Sequence, residues 1–310
     1  MDKNNHGFIK QPPKAANWIS GWVTGLPNDV LLASGDWRPY APIFEPQSFP
    51  GLETFACVSF SALNVIETLH CFRYGDEVNY SDRYLAKLSG TTMSGNYFTY
   101  VWDTIRHKGC VPEKLWPSEG TSWPVYYKDV PEPALIEGIR WKEKYDVGYE
   151  FLPQRIKDGF IVTSDDVLHE GLKRSPLQIS IGDNAGREAH AITLLSMEED
   201  GTRHVFDHYG SGLVSMPPER KIYSALRAHY KKATLMPTLP NDTLVFLAEP
   251  PGAFGLYVGG KLYVDDVAKI LAQWITRNED RGVFNSGPVR TLPRIEWDQF
   301  QRFNLRNEPL

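Results

Sequence analysis

Cys57, His190 and Asp207 are the residues whose types and spacing could do chemistry together, with the histidine 133 residues beyond the cysteine. A thiol nucleophile needs an imidazole to take its proton and a third group to fix the tautomer of that imidazole. Cys57 opens a stretch in which Val58, Leu63, Ile66 and Leu69 recur at helical spacing, which predicts a helix from Cys57 to Tyr74. A cysteine in the first turn of a helix meets partial positive charge and free N–H groups. These favour a thiolate and can hold a developing oxyanion. Taken alone, Cys57 reads better as a small core residue, and its place at the helix start does not overturn that. Its partners change the balance. His190 lies at the start of the apolar run Ala189-His190-Ala191-Ile192-Thr193-Leu194-Leu195, and Asp207 lies near the end of Arg203–Tyr209. Both runs read as strands.

The elements that must position these residues follow from pattern and punctuation. Residues 1–35 form a polar, proline-containing N-terminal arm followed by extended chain, with Trp18 and Trp22 as anchors. A second helix is predicted from Tyr97 to Lys108, ended by Gly109 and closed by Pro112. The proline-rich segment 113–133 reads as a long ordered loop, and Arg140–Phe151 as a strand. Asp165 or Asp166 is expected to cap a short helix running to Lys173. Pro176–Ile181, Ala189–Leu195 and Arg203–Tyr209 read as strands, with a turn at Asp200-Gly201. The chain is therefore helical first and β-rich second, an α+β pattern of two lobes, a helical lobe over about 57–139 and an antiparallel β lobe over about 140–240. Residues 241–310 add a strand pair around Gly259-Gly260, a helix from Val264 to Arg277 and an irregular tail. They form a C-terminal extension whose role the pattern does not reveal. One geometric conflict is visible at this stage. A two-residue turn at Asp200-Gly201 sets Asp207 opposite Leu194, roughly 13 Å along the strand from His190. Contact requires a turn centred nearer Glu198-Glu199, or a bulge.

Composition narrows the classes. The 310 residues carry a net charge of -5 and no basic block, which excludes a phosphate-tracking nucleic-acid surface. Three cysteines cannot form a disulfide framework, and the polar N-terminus lacks the apolar run of a signal peptide. No stretch is long and apolar enough for a membrane span. These features predict a soluble protein of a reducing compartment, cytoplasmic or virion-associated. Cys/His pairs at zinc spacing, a Walker loop and a Gly-x-Gly-x-x-Gly are all missing, so neither a metal nor a nucleotide cofactor is expected.

Cys57-Val58-Ser59-Phe60-Ser61 resembles the nucleophile segment of papain-like cysteine peptidases, and Asp36-Trp37-Arg38 resembles the start of their mature domain. Ser94-Gly95-Asn96, then Lys108-Gly109 through Glu113, then Trp116-Pro117 are similar to that family's glycine segment and to the stretch after its following helix. Ala189-His190-Ala191 is similar to its histidine strand, and Phe206–Gly210 to its Asn-Ser-Trp-Gly. The motifs run in consistent order from about Asp36 to Gly212, and the cysteine–histidine and cysteine–aspartate separations fall in the roughly 130–150 range of papain-type enzymes.

The resemblance implies a two-lobe papain-like fold and hydrolysis of peptide bonds through a Cys57 thioester, with peptide or protein substrates. It implies His190 as base, Asp207 in the orienting position where the family carries asparagine, and Tyr209 where it carries a shielding tryptophan. Gly95 and Asn96 would line the wall that binds substrate backbone. The family's oxyanion glutamine has no counterpart six residues before the nucleophile, where Gly51 stands, and the role passes to Gln47 if four residues are inserted. Two other readings stay open. One is a papain fold kept as a weakly active or inactive structural component, similar to phage and bacterial forms that could partner virion or assembly proteins. The other is a transglutaminase-like or cell-wall amidase acyl transfer, which the long cysteine–histidine spacing disfavours. The arm before Asp36 is too short for the family's usual inhibitory prodomain, yet could still lie over the cleft.

Overall fold

A computed structural model describes residues 7–9, 29–157, 159–182, 188–209 and 211–233, together with five strands between 243 and 303. The expected helix over 264–277 and the tryptophans at 18 and 22 lie outside the described residues. The chain divides into two compact units, Met1–Ala233 and Thr234–Leu310.

In the first unit a two-strand ribbon, β1 (Ser48–Phe49) with β2 (Leu52–Glu53), leads into helix α1 (Cys57–Tyr74), as expected. Every residue of α1 from Cys57 to His70 is buried. A helix apolar on one stripe only would rest on the surface; this one is enclosed and forms the centre of the unit. Gly75, in the left-handed conformation at φ 77°, ends it by donating its N–H to the Cys71 carbonyl. Helix α2 (Asp82–Leu88) follows, started by Ser81, whose hydroxyl accepts from the Tyr84 N–H. Helix α3 (Phe98–Lys108) stops at Gly109, as expected.

The segment read as a loop, 113–133, is more regular than its prolines suggest. It holds a 3-10 turn (Glu113–Leu115), the one-turn helix α4 (Trp123–Tyr126) and the start of α5 (Glu132–Lys144). Pro124 and Pro133 sit in the first turns of these helices, where a missing N–H costs nothing. The expected strand over Arg140–Phe151 accordingly begins later, as β3 (Tyr145–Phe151), because Arg140–Lys144 completes α5.

The β part follows. A short ribbon, β4 (Arg155–Lys157) and β5 (Phe160–Val162), precedes helix α6 (Asp165–Leu172). The N-cap of α6 is Ser164 rather than either aspartate, and Asp165 instead accepts from Arg203 Nη2 at 2.6 Å. The strands β6 (Leu177–Gly182), β7 (Glu188–Met197), β8 (Arg203–Asp207), β9 (Gly212–Met216) and β10 (Ile222–Lys232) then complete a six-stranded antiparallel sheet in the order β3-β10-β6-β7-β8-β9. The expected class, α+β with helices first and an antiparallel sheet second, is what the chain forms.

Helix α1 is stitched to this sheet by buried polar groups. The Gln178 carboxamide on β6 donates to the Val58 carbonyl at 2.8 Å and Ser61 Oγ at 2.7 Å, and accepts from Trp102 Nε1 on α3 at 2.7 Å. Thr193 on β7 donates its hydroxyl to the Ser61 carbonyl at 3.0 Å. These bonds fix the first turns of α1 against β6 and β7. At its far end His70 bonds Tyr230 of β10 at 2.7 Å, within an aromatic stack in which Tyr230 lies on Trp141 and Tyr145.

The second unit contains a five-stranded sheet. β11 (Thr243–Leu247), β12 (Phe254–Val258) and β13 (Lys261–Val264) form an antiparallel meander, in which β12 and β13 flank Gly259-Gly260 as expected. β14 (Val289–Leu292) adds in parallel to β11, and β15 (Arg302–Phe303) in parallel to β13.

Candidate active site

The register of the β7–β8 hairpin decides whether His190 and Asp207 meet. The Gly201 N–H donates to the Glu198 carbonyl, so the turn is centred one step earlier than a two-residue Asp200-Gly201 turn. A bulge between Leu194 and Ser196 then shifts the pairing by one more residue, giving Leu194↔Val205 and Thr193↔Phe206. A bulge inserts one unpaired residue and slides everything beyond it. Both remedies that the sequence demanded are present together. Asp207 consequently lies on the same face as His190, and its Oδ1 is 2.9 Å from His190 Nε2.

Two groups hold the aspartate at one oxygen. Burial pushes its carboxyl up most strongly, but the hydrogen bond and charge of His190 and the Tyr209 N–H, at 3.1 Å from Oδ1, outweigh burial and leave it below the usual carboxylate range. It is therefore ionised at neutral pH and orients the imidazole. The neighbouring His208 points the other way, into the helical side. Its Nδ1 bonds the Glu45 carbonyl and its Nε2 bonds Asn64 of α1. Burial lowers it to about 4, so it stays neutral and structural.

Cys57 stands where α1 packs on β7, its thiol beside the backbone of Ala191, the residue after His190. No side chain caps the first turn of α1. The helix terminus was expected to favour a resting thiolate, and the opposite is found. Cys57 is 1% exposed, and burial, reinforced by the nearby carboxylates of Glu53 and Asp207, pushes the thiol well above its ordinary range in spite of the Ala191 contact. The desolvation cost of an anion here exceeds what the helix terminus returns. At rest the sulfur carries its proton.

Gln47 reaches the site, but through other residues. Its Nε2 donates to Tyr209 Oη at 2.7 Å and to Glu53 Oε1 at 3.4 Å, so its amide hydrogens are directed at those groups. Tyr209 stands edge-on to the His190 ring, 5.2 Å between centroids, and donates its hydroxyl to Glu53 Oε1 at 2.5 Å. Glu53 was not singled out from sequence; no motif marks it, and only its place four residues before Cys57 hinted at proximity.

Gly95 and Asn96 form an extended edge that is already taken. The Asn96 N–H donates to the Gly7 carbonyl at 2.8 Å and the Ile9 N–H to the Asn96 carbonyl at 2.9 Å, so Gly7–Ile9 lies along this edge as a short parallel strand. Phe8 is 5% exposed and packs on Phe98, 4.8 Å between rings. The contact is close enough that a Cβ on Gly95 would fall 2.0 Å from the Gly7 carbonyl oxygen, and one on Gly7 would fall 2.1 Å from that of Phe55. The N-terminal strand is thus wedged between the segment before the nucleophile and the edge expected to bind substrate. Among the described residues no group of histidine, cysteine and carboxylate side chains is arranged to hold a metal ion, and no helix is long and apolar enough to cross a membrane.

No family model matches the chain, and no curated protein matches its sequence. Solved structures of papain-like cysteine proteases do resemble it. A digestive procathepsin L 3 of Tenebrio molitor larval midgut aligns at 17% identity over 72% of this chain and 76% of its own, with a TM-score of 0.48. The bromelain protease from Ananas comosus, in complex with the E64 inhibitor, aligns at 16% over 62% and 96%, with a TM-score of 0.45. The Amb a 11 cysteine protease, a ragweed pollen allergen in its proform, aligns at 18% over 67% and 68%, with a TM-score of 0.44. At such scores the likeness adds nothing to the chemistry, which rests on the chain's own side chains.

Proposed function

We propose that the chain is a cysteine-type peptidase acting through a Cys57 thioester. The observation that carries the reading is the ionised Asp207 holding His190 Nε2 at 2.9 Å on the strand whose next residue, Ala191, meets the Cys57 thiol. In the proposed reaction His190 takes the thiol proton as sulfur attacks the peptide carbonyl and the S–C bond forms. It then gives that proton to the leaving amine as the C–N bond breaks. Water attacks the thioester, giving a proton to His190, and the sulfur leaves as the thiol. Because the resting sulfur is protonated, base-assisted attack suits this site better than a standing thiolate–imidazolium pair. The N–H groups at the head of α1, ahead of the Ser59 and Phe60 N–H groups that bond the Ala56 carbonyl, are the natural donors to the oxyanion. Gln47 joins them only if it releases Tyr209 or Glu53.

A second reading, a papain-like fold with weak or no catalysis, draws support from the buried thiol and from Gly7–Ile9 covering Gly95 and Asn96. One experiment separates the two. Alkylation of Cys57 by iodoacetamide and hydrolysis of an unfolded protein substrate are followed against pH in wild type and in His190→Ala. Loss of both activities in the variant supports the peptidase. Equal, slow alkylation in the two proteins, with no hydrolysis, leaves the scaffold reading.

A further inference from the structure

Glu53 is the junction of the candidate site. Its Oε1 accepts the Phe55 N–H at 3.0 Å, the Tyr209 hydroxyl at 2.5 Å and the Gln47 amide at 3.4 Å. The first of these bonds belongs to the segment that ends at the nucleophile, where Phe55 takes a left-handed φ of 53°, sparsely populated by a bulky residue. The second belongs to the loop that follows Asp207, since Tyr209 also donates its backbone N–H to Asp207 Oδ1. One carboxylate oxygen therefore spans the two halves of the site, joining the segment before Cys57 to Tyr209, 156 positions beyond Glu53 in the chain. A carboxylate suits this place because it is acceptor-only and has lone pairs enough for several donors, and bonds from donors to an ionised acceptor are the stronger kind.

We propose that Glu53 is a positioning residue that locks the Cys57 segment to the Asp207–Tyr209 loop, so that the nucleophile and the His190–Asp207 pair keep one arrangement. The proposal rests on the peptidase reading for the role of Cys57. Tyr209 adds its own support, since its hydroxyl is held by Glu53 while its backbone N–H holds Asp207. Glu53 and Asp207 also both raise the Cys57 thiol, after burial, so the locked arrangement sets the charge around the sulfur as well as its place.

The test separates the charge from the hydrogen bonds. Glu53→Gln keeps an oxygen for Phe55 and Tyr209 and removes the charge; Glu53→Ala removes both. Thermal unfolding checks that each variant is folded and reads the lock itself. The expected result is a melting temperature lowered in Glu53→Ala and largely restored in Glu53→Gln. In parallel, hydrolysis is expected to fall at least tenfold through kcat, with KM little changed, in Glu53→Ala and to be largely restored in Glu53→Gln. Melting temperatures and kcat alike in all three proteins overturn the proposal. If the melting temperatures separate in this order but wild type cleaves no substrate, Glu53 locks the two segments as proposed and the peptidase reading fails. If wild type cleaves and Glu53→Ala cleaves with the same kcat, Glu53 alone is refuted.

Discussion

At the scale of single residues, the proposed chemistry hangs on a charge that is held and a charge that is refused. Asp207 is kept ionised by its imidazole partner, while the Cys57 thiol is kept neutral by burial. Replacing Asp207 by alanine frees the imidazole to rotate, and a loss of about 10²-fold in kcat is expected in a peptide hydrolysis assay. Asp207→Asn should lose less, because a carboxamide oxygen can still accept from Nε2 and the papain-like pattern carries asparagine there. Cys57, His190 and Asp207 were legible from sequence because each sits at a recognisable point of a periodic run and all three follow the order of a known pattern. Glu53 was not. Its neighbours in the chain are unremarkable, and its importance arises only when Tyr209 folds back against it from 156 residues away.

Among the elements, the helices α1 and α3 were legible because their apolar spacing is long and their ends carry glycine. Helix α5 was not, since prolines that mark its first turn also mark loops, and the short α2 offers too few residues for a period to show. The position of α1 depends on Gln178, another residue without a sequence signal. Its carboxamide serves Trp102, Val58 and Ser61 at once. Gln178→Ala leaves buried donors and acceptors unmatched, and a destabilisation of about 3 kcal/mol is expected by urea unfolding. Should Gln178→Ala be within about 0.5 kcal/mol of wild type, the bonds are not what seats the helix. The strand Gly7–Ile9 is a second element of this kind. Phe8→Ala removes its one large buried side chain, so the strand should leave the Gly95–Asn96 edge more often, raising the alkylation rate of Cys57 by about tenfold or more. An unchanged rate would mean that the strand does not limit access to the thiol.

For the whole first unit, the unusual property is a set of buried acids. Glu67 on α1 is pushed up to about 8 and Glu113 to about 7, and Asp82 at the start of α2 stands well above its ordinary range, in each case chiefly through burial. Glu45 lies among them, accepting from Asn79 Nδ2 at 3.1 Å. A carboxyl whose folded value is raised binds its proton more tightly when folded, so its contribution is present at low pH and is lost as pH rises through that value. His208, held near 4, works in the opposite sense, adding stability as pH climbs from about 4 towards its unfolded value of about 6.5. Between the ordinary glutamate value of about 4.5 and pH 6.5 the one histidine offsets only one of the three acids, and above 6.5 the acids act alone. The melting temperature should therefore peak near pH 4 to 4.5 and fall towards pH 8, more steeply above 6.5, at roughly 1.4 kcal/mol per pH unit for each acid not offset. Glu67→Gln keeps the acceptor for the Tyr80 N–H and should flatten that fall. A melting temperature level across pH 6.5 to 8 in wild type counts against this account.

The bulge between Leu194 and Ser196 has a consequence for how this molecule could change over generations. Strand β8 is buried or half-buried on both faces, so its apolar pattern does little to hold one register against another. The turn and the bulge hold it instead. A single codon lost or gained between the positions of Leu194 and Arg203 would let the hairpin close again with a comparable ladder, while turning the carboxyl of Asp207 away from the imidazole. The hairpin is thus the place where inheritance can silence the chemistry and keep the body, and lineages that retain only a scaffold should carry their first length changes there.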